Sequence, residues 1–469
     1  MPQIIVMGGG VSGLATGILL ARDGHDVTVL ERDAEPPPAT LDDAVEDWPR
    51  RGVAQFRQAH YLLPRGRAVL DEVLPDLRDG LLAAGAYRFD VLGIMPPGIA
   101  DRSPRPGDER YVTVTARRPA LEWVFARAAA DEPGVEIRRG VEAEALVAHR
   151  ADGVPHVTGV RTAAGDELVA DLVVDATGRR SKLPALLADA GAAPVPEEAE
   201  DSGFVYYTRY FRSADGRVPG YRAAPLTPFE SFSLLTLPAD NGTWSVTVYV
   251  PAGDRPLKAL RDVEPWTALV RACPAHAHWI DHEPITGIIA LGGIVDRYRR
   301  FVTPDGPIAT GVVAVADAWA CTNPSLGRGM TFALLHARYL RDYVRYHVEH
   351  PRELAEVWDT VTEAELTPWY RSTVREDRAR LRELEAHRRG VAPPPPPDRE
   401  SAVRAALPIA AARDADVFRA MLDTRCGFAT PEEVTARPGM ADRVLELAAG
   451  AAGMPPGPDR AQVLALIAA

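Results

Sequence analysis

The chain has 469 residues, enough for two or three domains with a full-sized core, and its 46% hydrophobic and 25% charged residues are those of an ordinary globular protein. A net charge of −12 argues against a nucleic-acid binder, and no window of about 20 apolar residues predicts a membrane span. Three scattered cysteines, Cys273, Cys321 and Cys426, include no Cys-x-x-Cys pair; they predict neither a metal site nor a disulfide framework and fit a soluble protein of a reducing cytoplasm.

Taken in chain order, Ile4 to Met7 is an apolar run of the length of a buried parallel strand. Gly8 to Gly10 is a sharp turn, Val11 to Asp23 a helix ended by Gly24, and Asp26 to Leu30 a second strand closed by Glu31. Residues 34–50 are acidic and proline-bearing and predict a loop. Leu62 to Leu82 reads as one helix, and Pro119 to Asp131 as another with proline at its start. From Val135 to Val174 strands and turns alternate. Phe204, Tyr206, Thr208 and Tyr210 fall on one face of a strand. The runs Phe229–Leu237 and Thr243–Val250 flank Asp240-Asn241-Gly242, a strong hairpin signal. Val312 to Ala316 returns to a buried strand. A long helical region follows from Gly329 to about Arg389, then the five prolines of 393–397, then Ala-rich helix over 401–469.

Three motifs carry chemistry. The first is Gly8-x-Gly10-x-x-Gly13 between strand and helix, with Glu31 at the tip of the next strand. A pyrophosphate can approach the backbone there, where the helix start offers free N–H groups, and Glu31 can accept the ribose hydroxyls. The complete strand–turn–helix–strand–acid order predicts a dinucleotide site, and by itself it does not separate FAD from NAD. The second is Leu172-Val173-Val174-Asp175-Ala176-Thr177-Gly178-Arg179, a buried strand entering a glycine turn. In the third, Val312 to Ala316 delivers Asp317 to a loop holding Asn323, Pro324, Gly327 and Gly329, and the loop opens a helix. A carboxylate at that position can bind a ribityl hydroxyl, and the helix start can stabilise charge on a reduced flavin ring.

These motifs resemble those of FAD-dependent enzymes with the p-hydroxybenzoate hydroxylase fold, over segments from residue 3 to about 345. Arg51-Gly52-Val53-Ala54-Gln55 with Arg57 and His60 is similar to a family loop near the cofactor. Arg118-Pro119-Ala120-Leu121-Glu122 resembles the start of the helix whose arginine faces FAD. Asp201-Ser202-Gly203-Phe204-Val205-Tyr206 resembles the first substrate-sheet strand of the bacterial polyether epoxidases, the nearest named kin. The resemblance implies an α/β fold with a Rossmann-type, glutathione-reductase-like FAD domain (1–83, 110–200 and 286–345). It adds an antiparallel β-sheet substrate domain (84–109 and 201–285) and a C-terminal helical region (346–469) with a proline linker at 393–397.

It further implies a cofactor site of Gly8, Gly10, Gly13, Glu31, Arg32, Arg51, Arg118, Ala143, Asp317, Pro324, Gly327, Gly329 and Met330. The activity implied is a monooxygenase that epoxidises or hydroxylates a small hydrophobic substrate, of secondary metabolism, with O2 through a flavin hydroperoxide. No catalytic side chain is named. Three alternatives stand beside it: a flavin-linked reductase or dehydrogenase, such as a prenyl-chain reductase, a flavin halogenase, and a non-enzymatic flavin-binding or scaffold protein. The halogenases use a relay lysine, whereas residues 1–181 here hold none and the Trp-x-Trp-x-Ile-Pro motif is missing. Two departures from the family pattern stand out. Ala316-Asp317 replaces Gly-Asp, and Asp175-Ala176-Thr177-Gly178 replaces the Asp-Gly of enzymes that meet NAD(P)H directly. The second departure points to electrons from NAD(P)H delivered by a separate flavin reductase. His60 is a candidate for the flavin's surroundings; Cys321 and His336 read as structural.

Overall fold

The computed structural model describes residues 1–450 and 456–468. In chain order, β1 (Gln3–Met7), α1 (Val11–Arg22) and β2 (Asp26–Glu31) form the initial βαβ unit. They are followed by α2 (Arg118–Asp131), β3 (Val135–Arg139) and β4 (Leu172–Asp175). Next come β5 (Phe204–Arg212), β6 (Leu226–Pro228), β7 (Ser233–Pro238), β8 (Thr243–Pro251) and β9 (Val312–Ala314). The helices α3 (Gly329–His347), α4 (Pro351–Glu365), α5 (Thr367–Arg388), α6 (Arg399–Ala411), α7 (Ala415–Arg425), α8 (Met440–Ala448) and α9 (Arg460–Ala468) complete the chain.

The Rossmann sheet is parallel, in the order β9-β4-β1-β2-β3. Its strands read as unbroken apolar runs because helices cover the sheet; Val6, Val29, Val173 and Val174 are fully enclosed. Helix α1 lies close on the sheet: a Cβ added at Gly17 would stand 3.2 Å from Val29. The second sheet is antiparallel around β6-β7-β8-β5. The turn joining β7 to β8 has Asn241 at φ 51° and Gly242 at φ 66°, the left-handed pair that a two-residue hairpin demands. Alternation along β5 sends Phe204 and Tyr206 into a cluster with Tyr249. It sends Tyr207 and Phe211 to the other side, against Trp266 and the C-terminal Val463 of α9. The buried pair Arg117–Asp240 ties the start of α2 to this hairpin at 2.5 Å.

Four local expectations are corrected. The segment 62–82 is two helices, Pro64–Val73 and Pro75–Ala83, because Pro75 forces Leu74 out of helical geometry. The acidic stretch 34–50 contains a short helix, Leu41–Glu46, capped by the Thr40 side chain accepting from Asp43 N. The long helical region 329–389 is three helices, with Pro351 and Pro368 in the first turns of α4 and α5. The strand at 312–316 ends at Ala314. In the predicted helical stretch 401–469, residues 451–455 and 469 lie outside the described residues.

Residues 84–111 pack beneath the C-terminal helices. Phe89, Val91, Met95 and Tyr111 share one core with Leu407, Phe418, Leu422 and Val444. Tyr111 and Arg110 both reach the buried Asp423 of α7.

Candidate flavin and substrate site

One cavity of about 1580 Å³ runs from the carboxyl edge of the Rossmann sheet, past the antiparallel sheet, to the C-terminal helices. Of the residues singled out from sequence, Gly8, Gly10, Glu31, Arg32, Arg118, Ala143, Asp317, Pro324, Gly327, Gly329 and Met330 lie on its wall. Gly13 lies behind the wall, where an added Cβ would be 1.8 Å from Gly8 O. Arg51 is exposed and lies off the wall, and its neighbour Arg50 takes the buried place. The Arg50 guanidinium stands 3.0 Å from Glu31, 3.2 Å from Glu122 and donates to Gly9 O at 2.8 Å. The sequence does not distinguish Arg50 from Arg51, because the two arginines are adjacent and only the packing decides which of them turns inward.

The first motif forms a turn closed on itself. Gly8 N donates to Leu30 O at 2.8 Å, and Gly9 N donates to Glu31 Oε2 at 3.1 Å. Gly10 caps α1 without a side-chain acceptor, and no acidic residue stands in the helix's first turn. The opening N–H groups thus lack any side-chain acceptor of their own, the arrangement that binds a phosphate.

The second motif is structural in detail. Asp175 is wholly enclosed, and burial pushes its carboxyl pKa up. It accepts from Thr177 N at 2.9 Å, Thr177 Oγ1 at 2.6 Å and Ser181 Oγ at 2.5 Å. These bonds occupy the carboxylate and hold the turn that carries Arg179 to the cavity wall.

The third motif places Ala316 at φ 51°, in the left-handed region. Its N–H donates to His336 Nδ1 at 2.6 Å, so that nitrogen is the acceptor; burial holds the imidazole neutral, its pKa pushed down to about 3. A β-carbon in this conformation costs about 1–2 kcal/mol. Ala316→Gly is therefore expected to raise the thermal midpoint, by the equivalent of about 0.5–1 kcal/mol after glycine's larger unfolded-state entropy is subtracted. An unchanged or lower midpoint in a calorimetric scan would contradict this. Asp317 follows, partly open to the cavity. Arg179 Nη2 is 3.8 Å away, and a Cβ added at Gly329, the start of α3, would be 3.9 Å from its carboxylate.

The opposite wall is the apolar face of the second sheet: Tyr206, Leu235, Leu237, Tyr249 and Leu291, with Thr208 and Thr247 among them. Gln58 and His60 stand between the two walls. Thr208 Oγ1 donates to Gln58 Oε1 at 3.0 Å, and Tyr210 Oη donates to Gln58 O at 2.9 Å. Burial, and then the charge of Arg118, push the His60 pKa down to about 3. Cys321 is buried beside Val295 O, and burial raises its thiol to about 12, so it is a filler rather than a nucleophile. Lys182 is the one lysine on the wall; it is largely exposed and pairs with Glu142 at 2.8 Å.

Helix α5 contributes a group that the motifs did not point to. Asp377 is buried on the cavity wall, accepting from Ser325 Oγ at 2.8 Å and Asn323 Nδ2 at 3.1 Å. Asn323 Oδ1 accepts from Tyr206 Oη at 2.7 Å, and Asn323 N donates to Asp296 at 2.5 Å. A polar chain thus links α5, the third-motif loop and the sheet face. Burial pushes Asp377 up to about 7 and Asp296 up to about 6.

Both carboxyls keep a proton in the folded protein that the unfolded chain, with aspartate near 3.9, has lost. Their contribution to stability is therefore full at low pH and is lost as pH rises through about 4 to 7. His60 and His336, depressed to about 3, act in the opposite sense, adding stability as pH rises, up to about 6.5, where unfolded histidine loses its proton. Above about 6.5 the carboxyls act alone. The thermal midpoint of the wild type is expected to fall by about 1–2 °C relative to Asp377→Asn between pH 6 and 8. Parallel curves for the two proteins would refute the raised carboxyl.

Comparison with known proteins agrees with this architecture. Residues 6–62 match a family described as NAD(P)-binding Rossmann-like domain. The chain is 28% identical to Protein Rv3254 of Mycobacterium tuberculosis over 349 residues, 72% of each chain. It is 25% identical to the chloroplastic zeaxanthin epoxidase of Oryza sativa subsp. japonica over 238 residues, 46% of this chain and 33% of that one. Its structure is similar to that of PqsL, a probable FAD-dependent monooxygenase from Pseudomonas aeruginosa. The TM-score is 0.61 at 18% identity, covering 82% of this chain and 98% of PqsL. The chain has an α/β fold with a Rossmann-like dinucleotide-binding unit and an antiparallel sheet, and this fold is similar to that of PqsL.

Proposed function

We propose that the protein is an FAD-dependent monooxygenase that adds one oxygen atom from O2 to a small, largely apolar organic substrate, by epoxidation or hydroxylation. The observation that carries this reading is the single cavity joining the phosphate-ready start of α1, the third-motif loop and the apolar face of the antiparallel sheet. A cofactor and an apolar substrate can meet there with little water between them.

The residues on the wall fit FAD. The N–H groups opening α1 would hold the pyrophosphate, with Arg118 at its flank. Glu31, kept in place by Gly9 and Arg50, would accept the adenosine ribose hydroxyls, and Asp317 a ribityl hydroxyl. The start of α3 at Gly329 would turn its N–H groups to the flavin carbonyls. Bound FAD would supply the activation of O2 and the transfer of one oxygen atom. The chain itself binds, orients and keeps water out. Tyr206 Oη, fixed by Asn323 and in turn by Asp377, is the hydroxyl oriented from the substrate face. A halogenase needs a free lysine in the cavity; among the described residues the wall offers only Lys182, exposed and paired. The resemblance of residues 201–206 to the polyether epoxidases supports epoxidation as the form of the reaction.

The test is mass spectrometry of products formed by the FAD-loaded protein under isotopically labelled O2, with a reduced-flavin supply. One labelled oxygen atom per product is expected. A product that gains or loses only hydrogens would replace this reading with a reductase or dehydrogenase.

A further inference from the structure

The far end of the cavity, beneath the C-terminal helices, has a charge that the cofactor does not explain. The whole chain carries a net charge of −12. Between Leu366 and Cys426 the cavity wall contributes six arginines against three acidic side chains; Arg375, Arg378 and Arg404 pair with Glu432, Glu200 and Glu400 off the wall, and Arg222 faces in from the loop before β6. One of the three acids, Asp377, is the carboxyl hydrogen-bonded to Asn323 and Ser325, and a second, Glu376, is shared by Arg328 and Arg425. Arg380 is engaged with Glu383 and with the carbonyls of Phe229 and Phe232. Arg222 and Arg382 are exposed on the wall and make no salt bridge among the described residues.

The rest of this end is largely apolar, with the hydroxyls of Tyr221, Ser372 and Ser401 among it. Phe89, Met95, Leu226 and Phe418 form its sides, and the exposed prolines 393–397 line it. Proline has no N–H, so that stretch of backbone offers an anion no donor, and the charged donors at this end are the arginines.

We propose that this end binds the oxyanion head group of an amphipathic substrate whose apolar body lies along the antiparallel sheet. The head is a carboxylate or a phosphate, met by Arg222 and Arg382. The inference rests on the proposed function only in placing the substrate's body on the sheet. Cationic side chains at the rim raise the local concentration of anions and orient them head-outward, leaving the tail toward the third-motif loop.

The test is calorimetric titration of the FAD-loaded full chain, at low salt, with dodecanoate, dodecyl phosphate and dodecan-1-ol. Both anions are expected to bind at least about tenfold more tightly than the alcohol, with an advantage that shrinks as salt is raised. The double variant Arg222→Gln and Arg382→Gln is expected to bring the anions to the level of the alcohol while leaving the alcohol's affinity unchanged. The ratio of dodecanoate to dodecyl phosphate binding assigns the head group. Equal affinity for all three ligands, no binding of any of them, or anion binding indifferent to the two arginines would each overturn the proposal. The readout is binding, so failure of oxygen transfer in the labelled-O2 experiment leaves it standing, and the reverse also holds.

Discussion

Gly13→Ala is expected to lower FAD affinity at least about 100-fold, equivalent to about 2.7 kcal/mol. The added methyl would lie 1.8 Å from Gly8 O, a backbone atom with no freedom to yield. Gly8 is held from two sides: its N–H donates to Leu30 O at 2.8 Å, and its own Cβ position is blocked by Ala176 O at 2.6 Å. Helix α1 cannot retreat without losing its close seat on β2 at Gly17. The turn must open, and the N–H groups at the start of α1 lose their common aim. Gly10→Ala separates binding from folding. Its Cβ would meet nothing nearer than Glu122 Oε1 at 3.9 Å, so the apoprotein should melt as the wild type does. The same methyl projects into the space assigned to the pyrophosphate, and fluorescence titration should show weak FAD binding. Wild-type affinity in Gly10→Ala would remove the pyrophosphate from this turn.

The parts legible in the sequence are those set by short-range rules. The βαβ unit declares itself through glycine spacing, because Gly8 and Gly13 stand too close to neighbouring backbone to admit a side chain. The hairpin at Asn241-Gly242 declares itself through left-handed φ values that few other residues accept. What was not legible depends on distant packing. Arg50 and Arg51 are chemically identical, and only the placement of Glu31 and Glu122 selects which is buried. Asp377 sits in a charge-rich helix that reads as a solvated face, and it becomes part of the site because α5 lies against the loop at Asn323 and Ser325. The extra methyl of Ala316 was visible in the sequence. That it stands at φ 51°, with its N–H on His336, was not.

The source of electrons gives the second large expected effect. The FAD-loaded protein alone should be reduced by NADPH or NADH more slowly than about 0.1 per second, at least about 100-fold below a median enzymatic turnover of about 10 per second. A separate flavin reductase should restore turnover. The Rossmann-like match covers residues 6–62, and that glycine turn is the one assigned to FAD. Among the described residues the parallel sheet has a single strand–glycine turn–helix unit of this kind, and residues 204–251 form antiparallel sheet. A missing nicotinamide domain does not decide the matter, because p-hydroxybenzoate hydroxylase also lacks one. The weight falls on the second motif. In enzymes that meet NAD(P)H directly this turn reads Asp-Gly; here Ala176 occupies the glycine position, against the Gly8–Gly13 turn. Asp175 is fully enclosed, its oxygens taken by Thr177 and Ser181, so the turn has no carboxylate left for a nicotinamide. Anaerobic stopped-flow mixing with each nicotinamide, with and without a candidate substrate, measures the rate directly. Flavin bleaching at several per second with no reductase present would show that this chain accepts hydride itself, and that the second motif permits a nicotinamide to reach the flavin.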